Sequence, residues 1–463
     1  MGGALGSSFS VRRKINALAE NALQQALARV ERATIKGIDM SDSSSRATAP
    51  ASVPGFVRNL GAFEEIYWLY NQLGAHGFAY AMEVDGPTIV ADWRSALDAV
   101  QRSQPFFSVR IEPNNGGVPF FRHVDGAPIP LRVVHGMSGP SWQEEMAREI
   151  FTPFTGDVAP LLRATLIHEA SRAVFILAAH HTISDGVSMA VALRDTFCVL
   201  AGGTIELHPV IAPMEESLGV PRAQLSEPLD APPPAGPPLV YRGPDNNPPR
   251  IETLKLDAAL TNRLVARARS ENTTVHGALC SAVVRAGRMF SQAWRQKPVR
   301  VLSNINVRRD TGVGNSSALY FAAGITPVGP ENTEEFWPLA RRFTDALPAQ
   351  RSRRALQFAA KAMTQAVLQG LDVKGAQQFL SQGMPFEVII SNIGRLNFDG
   401  RLGDLHLRSV WGMSLMTGCD DEQIVGVVTL NGQLHMTYTS QTSRPSLLPA
   451  IEQLLRGACH MEA

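Results

Sequence analysis

Hydrophobic positions recur along this chain in two rhythms, one near 3.6 residues and one of two. In "ADWRSALDAVQRS", Trp93, Leu97 and Val100 fall on one stripe, which predicts a helix; "FEEIYWLYNQL" has the same character. "FAYAMEVDG" alternates like a strand, and "FFSVRIEP", "PFFRHVD" and "LRVVHG" are short strands set off by Gly, Pro and Asn. "LLRATLIHE" and "RAVFILAAHH" are β-rich runs joined by the polar "ASR". The core of the second, "AVFILAA", barely alternates, as expected of a strand buried on both faces. "ISDGVSMAVALRDTFCVLAG" then predicts a helix that stops at Gly202-Gly203.

The rhythm breaks at "SEPLDAPPPAGPPLVYRGPDNNPPR", residues 226–250, where the density of proline forbids regular structure. A second mixed region follows. It opens with two helical stretches divided at Asn272-Thr273, then supplies the strands "VRVLSNINVRR", "ALYFAAGITPV", "FEVIISNIG" and "LHLRSVWGM". "QIVGVVTLNGQLHMTYTSQ" is a strand pair turned at Asn-Gly. Before all this, "INALAENALQQALARVERATI" places Ile15, Leu18, Ala22, Ala26, Val30 and Ala33 on a modest amphipathic stripe. The expected organisation is a leader over 1–54, an N-terminal subdomain over 55–225, a linker over 226–250 and a C-terminal subdomain over 251–463.

Composition changes this picture little. The 463 residues carry 43 Lys and Arg against 42 Asp and Glu, so no charge imbalance invites nucleic acid or an anionic membrane. The four cysteines, Cys198, Cys280, Cys419 and Cys459, form no C-x-x-C pair, which speaks against structural zinc. No run approaches the length of a membrane span, and no signal-peptide core is present, so the expectation is a cytoplasmic protein acting on small molecules.

The chemistry concentrates in "AAHHTISDG". Adjacent strand residues point to opposite faces, so His180 and His181 divide, one toward a cleft and one toward packing. Asp185 caps or salt-bridges at the start of the next helix, and Gly186 lets backbone approach closely. A neutral imidazole serves as a general base near pH 7 without an elaborate partner. A metal site is the sharper rival, since His181 and Asp185 are four apart, but the turn-like "TISD" interrupts any shared helix and no third ligand is evident. No G-x-S-x-G elbow supplies a serine nucleophile. Cys198 and Cys280 lie in apolar helical stretches and fit a core, His276 fits a structural role, and Gly312 and Gly314 fit a loop.

"HHTISDG" resembles the H-H-x-x-x-D-G signature of the chloramphenicol-acetyltransferase-like superfamily, which includes peptide-synthetase condensation domains, polyketide-associated acyltransferases and alcohol acetyltransferases. "LLRATLIHEASRAVFILAAHHTISDGVSMAVALRD" is similar to the family's strand–strand–motif–helix block. "TTVHGALCSAVVRA", "NINVRR" with "GNSSALYFAAGITPV", and "ISNIGRLNF" resemble later family segments, so the likeness runs from about residue 60 to the end. It implies an α/β fold of two related subdomains, mixed sheets flanked by helices in a V-shaped pseudo-dimer, with the active site in a tunnel between them. It also implies that His181 is the catalytic base, with His180 and Gly186 in support. Asp185 would pair with an arginine, best matched by Arg308, with Arg309 as the alternative, to hold the shape of the motif. Ser391, Asn392 or the Gly186 amide would orient a tetrahedral oxyanion.

The function so implied is acyl transfer from a thioester to a hydroxyl or amine in a ternary complex. The donor would be acyl-CoA or a phosphopantetheinyl carrier protein, used as substrate with no bound cofactor and no metal. The runner-up is a standalone condensation enzyme forming an amide between carrier-bound substrates. A third class, a non-catalytic scaffold, is disfavoured by the complete motif.

Overall fold

A computed structural model describes residues 54–460 except 75, 115, 138, 225–236 and 244–246. The leader and much of the Pro-rich stretch expected from the sequence lie outside the described residues. The first half runs β1 (Phe56–Asn59), α1 (Ala62–Asn71), β2 (Phe78–Asp85), α2 (Val90–Ser103), β3 (Val109–Glu112), β4 (Phe120–His123), β5 (Leu131–His135), α3 (Trp142–Phe151), β6 (Leu162–Glu169), β7 (Arg172–Ala179) and α4 (Gly186–Leu200). The second runs β8 (Arg250–Leu256), α5 (Ala258–Ser270), α6 (Val275–Phe290), β9 (Val299–Asn306), β10 (Phe321–Val328), α7 (Phe336–Arg351), α8 (Arg353–Leu368), α9 (Val373–Gly383), β11 (Val388–Arg395), β12 (Arg401–Leu402), β13 (Leu405–Leu415), β14 (Ile424–Leu430), β15 (Gln433–Ser440) and α10 (Leu447–His460).

Two six-stranded mixed sheets result, ordered β12-β13-β2-β7-β6-β5 and β10-β9-β11-β14-β15-β8, with β1, β4 and β3 forming a small third sheet. Strand β7 is central and buried along nearly its whole length, which explains its unbroken apolar run. Its antiparallel register on β2 and β6 sets Ala179 opposite both Phe78 and Leu162, so the chain leaves the sheet at His180. The Asn431-Gly432 turn between β14 and β15 has φ of 50° and 74°, as a two-residue hairpin with right-handed twist requires. Side-chain caps begin many of the helices: Ser141 for α3, Asp257 for α5, Thr274 for α6, Ser352 for α8 and Asp372 for α9.

Two strands, β12 and β13, leave their half of the chain. "LHLRSVWGM" belongs to β13, which pairs antiparallel with β2 in the first sheet. Trp411, opposite Ala81, donates its indole N–H to Glu83 at 2.8 Å, and Thr437 of β15 donates its hydroxyl to the Met413 carbonyl at 3.1 Å. The strand thus ties both sheets together. Helices α7, α8 and α9 have no counterpart in the sequence reading, for a physical reason. The buried stripe of α8 is Leu356, Ala360, Thr364 and Val367, half of it small or polar, so its hydrophobic period is faint. Among the described residues no helix is long and apolar enough to cross a membrane.

Burial also sets protonation. Desolvation pushes His76 and His180 down to about 3 and His276 and His435 to about 4, from an ordinary 6.5. It pushes Glu215 and Glu422 up to about 7, from 4.5. Above pH 6.5 the imidazoles are neutral folded or unfolded and cost nothing. As pH falls below that, the unfolded chain binds protons that the folded histidines refuse, and stability is lost. The two glutamates act oppositely, gaining stability on acidification from 7 to 4.5 and none beyond. Five lowered imidazoles, counting His181, against two raised glutamates predict a decline in denaturant midpoint from pH 6.5 to 4.5 and a steeper one from 4.5 to 4. Urea melts at pH 7, 5.5, 4.5 and 4 check this; a flat profile would contradict the burial of these imidazoles.

Candidate active site

The chain leaves β7 through a single 3₁₀ turn, His181–Ile183, passes through extended Ser184 and Asp185, and enters α4 at Gly186. This places the two histidines in different environments. His180 is 1 % exposed, and its Nδ1 accepts from the Thr182 amide at 3.1 Å, which puts the proton on Nε2. That Nε2–H is buried without a partner. Its low basicity reflects burial first, then the neighbouring His181 and His76. His180 is a packed, neutral support.

His181 is arranged the other way. Its Nδ1 donates to the Ser184 carbonyl at 2.9 Å, which fixes the tautomer and leaves the Nε2 lone pair free. The ring stacks on Phe78, with centroids 4.4 Å apart, and also touches Tyr67 at 5.0 Å and Phe321 at 5.4 Å. Burial lowers its pKa, with the Ser184 bond and the Asp185 charge opposing more weakly. His181 borders a cavity of about 70 Å³ whose walls come from both halves of the chain, including Tyr67, Leu302, Asn304, Phe321, Met384 and Leu415. The Asn304 carboxamide on this wall has no partner among the described residues.

Asp185 does not face the cavity chemistry. Its Oδ1 accepts from the Ser188 amide and hydroxyl, both at 2.8 Å, capping α4. Arg308 Nη2 lies 3.0 Å from both carboxylate oxygens, and the Tyr320 amide donates to Oδ2 at 3.0 Å. Arg308 is buried and also donates to the carbonyls of Gly314, Ser316 and Ala318, whereas Arg309 is exposed. Ser317 adds a further tie, its hydroxyl donating to the Ile183 carbonyl at 2.8 Å. With both oxygens so engaged, Asp185 has little left for a metal. Among the described residues, no group of three or more His, Cys, Asp or Glu converges as a metal site.

Gly186 is required by close packing rather than by an unusual φ. A Cβ there would lie 2.8 Å from the Tyr80 hydroxyl and 3.2 Å from Ile393 Cγ2. Ile393 sits on β11 with Ser391 and Asn392, so that strand end does reach the motif. However, Ser391 is buried in the ladder opposite Gly426, and Asn392 Oδ1 accepts from the Gly394 amide at 2.9 Å. Neither is among the residues lining the cavity. The sequence reading missed Tyr67, Phe78, Phe321 and Asn304, which surround the base. It also treated Leu239 and Tyr241 as linker, whereas both line the cavity. On β9, Leu302 and Asn304 share a strand face with Arg300 and Asn306, so the polar side chain on the cavity carried no signal of its own.

Comparison with known proteins bears on the fold that carries this site. Residues 67–210 match the condensation-domain family model, and residues 245–436 match that of the phthiocerol/phthiodiolone dimycocerosyl transferase C-terminus. The two matches follow one another along the chain, one of condensation type and one of acyltransferase type. Among solved structures, polyketide synthase associated protein 5 from Mycobacterium tuberculosis aligns over 88% of this chain and 99% of its own, with TM-score 0.60 and 18% identity. A trichothecene 15-O-acetyltransferase from Fusarium sporotrichioides aligns over 87% and 95%, with TM-score 0.61 and 12% identity. These likenesses show the two-subdomain fold of the superfamily. Bacitracin synthase 3 from Bacillus licheniformis is 30% identical over 154 residues, 32% of this chain and 2% of that protein. Gramicidin S synthase 2 from Brevibacillus brevis is 36% identical over 83 residues, 16% of this chain and again 2% of the relative. The chain thus spans a small fraction of the curated relatives it matches.

Two predictions follow from the motif's packing. Asp185→Ala and Arg308→Ala should each cost about 3–5 kcal/mol, the usual result of stranding one partner of a buried pair. The double mutant should lose little more than either single, and a denaturation double-mutant cycle measures that coupling; additive losses would remove the pair from its structural role. Separately, Gly186→Ala should destabilise by about 1–3 kcal/mol through overpacking. Because the Tyr80 hydroxyl is buried and unpartnered, Tyr80→Phe should recover part of that loss, read as a rise in Tm over the Gly186→Ala single mutant.

Proposed function

We propose that this protein is an acyltransferase that moves an acyl group from a thioester, either acyl-CoA or an acyl-carrier protein, to a hydroxyl or amine. The observation that carries this reading is the His181 imidazole, with Nδ1 tied to a backbone carbonyl and Nε2 unpartnered at a cavity bounded by both halves of the chain. Nε2 takes the acceptor's proton as the acceptor oxygen or nitrogen attacks the thioester carbon. A bond forms at carbon, the carbonyl electrons move to oxygen, and the tetrahedral intermediate collapses with cleavage of the C–S bond. The departing thiolate takes its proton back from the imidazolium. No acyl-enzyme is needed, because the thioester is already activated. For the oxyanion, the Gly186 and Val187 amides open α4 without intrahelical acceptors, whereas Ser391 and Asn392 on the adjoining strand stand off the cavity lining.

The chemistry named for the fold neighbours, acetyl transfer to oxygen in one case, favours an ester product. The second reading, amide formation between carrier-bound substrates in a cytoplasmic assembly line, is favoured by the match to condensation domains and peptide synthases. Acceptor panels of alcohols and amines, run with both CoA and carrier-protein donors, decide between them.

His181→Ala should cost some Tm through the lost ring contacts with Phe78 and Tyr67, and should reduce turnover of the folded protein by roughly two to four orders of magnitude. Near-normal transfer by the folded variant would end the proposal. Because burial lowers the pKa of His181, the base is neutral throughout the physiological range. The acid limb of kcat/KM should therefore fall with an apparent pKa below the ordinary imidazole value of 6.5. A pH–rate profile whose limb lies at or above 7 would assign the essential base to another group.

A further inference from the structure

Residues 239–242 follow the Pro-rich run, yet they are held like an edge strand. The Arg242 amide donates to the Gly418 carbonyl at 2.9 Å, the Asp420 amide donates to the Val240 carbonyl at 2.8 Å, and Tyr241 pairs with Cys419 in an isolated antiparallel bridge. Strand alternation then divides the side chains. Leu239 and Tyr241 face the cavity that His181 borders, while Val240 between them is 69% exposed. Tyr241 is anchored again at its far end. Its hydroxyl donates to the Gln377 carbonyl of α9 at 3.2 Å, and its ring meets Tyr70 edge-on at 6.0 Å. This short strap is therefore a fixed wall of the cavity.

The cavity is small. An apolar cavity of about 150 Å³ admits benzene, so about 70 Å³ leaves room for roughly two to four carbons. We propose that Leu239 and Tyr241 are specificity-determining residues, and that this strap restricts the cavity to a compact apolar group of that size while excluding long chains. The inference rests on the reading of the cavity as an acyl-transfer site, and names the class of group it takes.

The test separates the two. Propyl, hexyl and decyl thioethers of N-acetylcysteamine mimic the pantetheine end shared by both donor types but cannot react. Their binding to the full chain is measured by calorimetry, beside turnover of the matching thioesters. Wild type should bind the propyl compound about tenfold more tightly than the hexyl one. Tyr241→Ala and Leu239→Ala should reverse that order, gaining roughly fourfold in affinity per methylene newly buried. Tyr241→Phe keeps the ring and loses only the hydroxyl's bonds to Gln377, Tyr70 and Cys419, so it should retain the wild-type order. Equal binding of all three compounds, no binding, or an order unmoved in Tyr241→Ala would overturn the strap's role. If the size order holds but no thioester is turned over, the cavity assignment stands and acyl transfer falls. If thioesters are turned over without regard to chain length, the reverse is true.

Discussion

Much of this molecule's organisation hangs on one buried ion pair, Asp185 with Arg308. Their side chains are 4% and 5% exposed, and every close donor around the carboxylate is satisfied by it. Such a pair adds little net stability, since desolvating two charges roughly offsets their attraction. Its consequence is geometric. Asp185 lies at the turn from β7 into α4, and Arg308 lies at the end of β9 in the other half of the chain. Arg308 also gathers the carbonyls of residues 314–318, and Asp185 holds the Tyr320 amide. The residue after Tyr320 is Phe321, one wall of the His181 pocket. A single carboxylate therefore fixes the turn carrying His181 and the strand carrying its neighbour Phe321.

The exchange of β13 does the same at the level of sheets. With β13 paired onto β2 and β12 onto β13, the first sheet cannot be completed by residues 55–225 alone. The cavity inherits this dependence, drawing on α1, the His181 turn, β9, β10 and the segment following β13. Neither half builds the site by itself.

What was legible in the sequence was what local rules encode. The unbroken "AVFILAA", the Asn-Gly turn and the interruption at "TISD" each require a particular backbone, and each was found where expected. The fold class followed from the motif with its flanking strands. What was not legible depended on long-range pairing. Nothing in "LHLRSVWGM" states that it joins a sheet formed more than 300 residues earlier, since alternation specifies a buried face and not a partner. The aromatic cage of His181 comes from residues near 67, 78 and 321, whose individual positions look like ordinary core. Tyr241 was hidden by its neighbours, because proline-dense surroundings suggest a linker whatever the side chains do.

The electrostatics of His181 complete the argument about chemistry. In a hydrolytic triad a carboxylate contacts the imidazole and stabilises its protonated form. Here the nearest carboxylate is turned away and committed to Arg308, and the imidazole leans instead on the neutral Ser184 carbonyl. Burial against Phe78 and Tyr67 then outweighs the weak favourable terms and keeps the ring neutral. As a general base, such an imidazole fits the proposed acyl transfer. It suits a reaction in which the proton is borrowed from an attacking alcohol or amine and returned to a departing thiolate within one complex, because there the activation resides in the substrate and the protein has only to hold the partners in line.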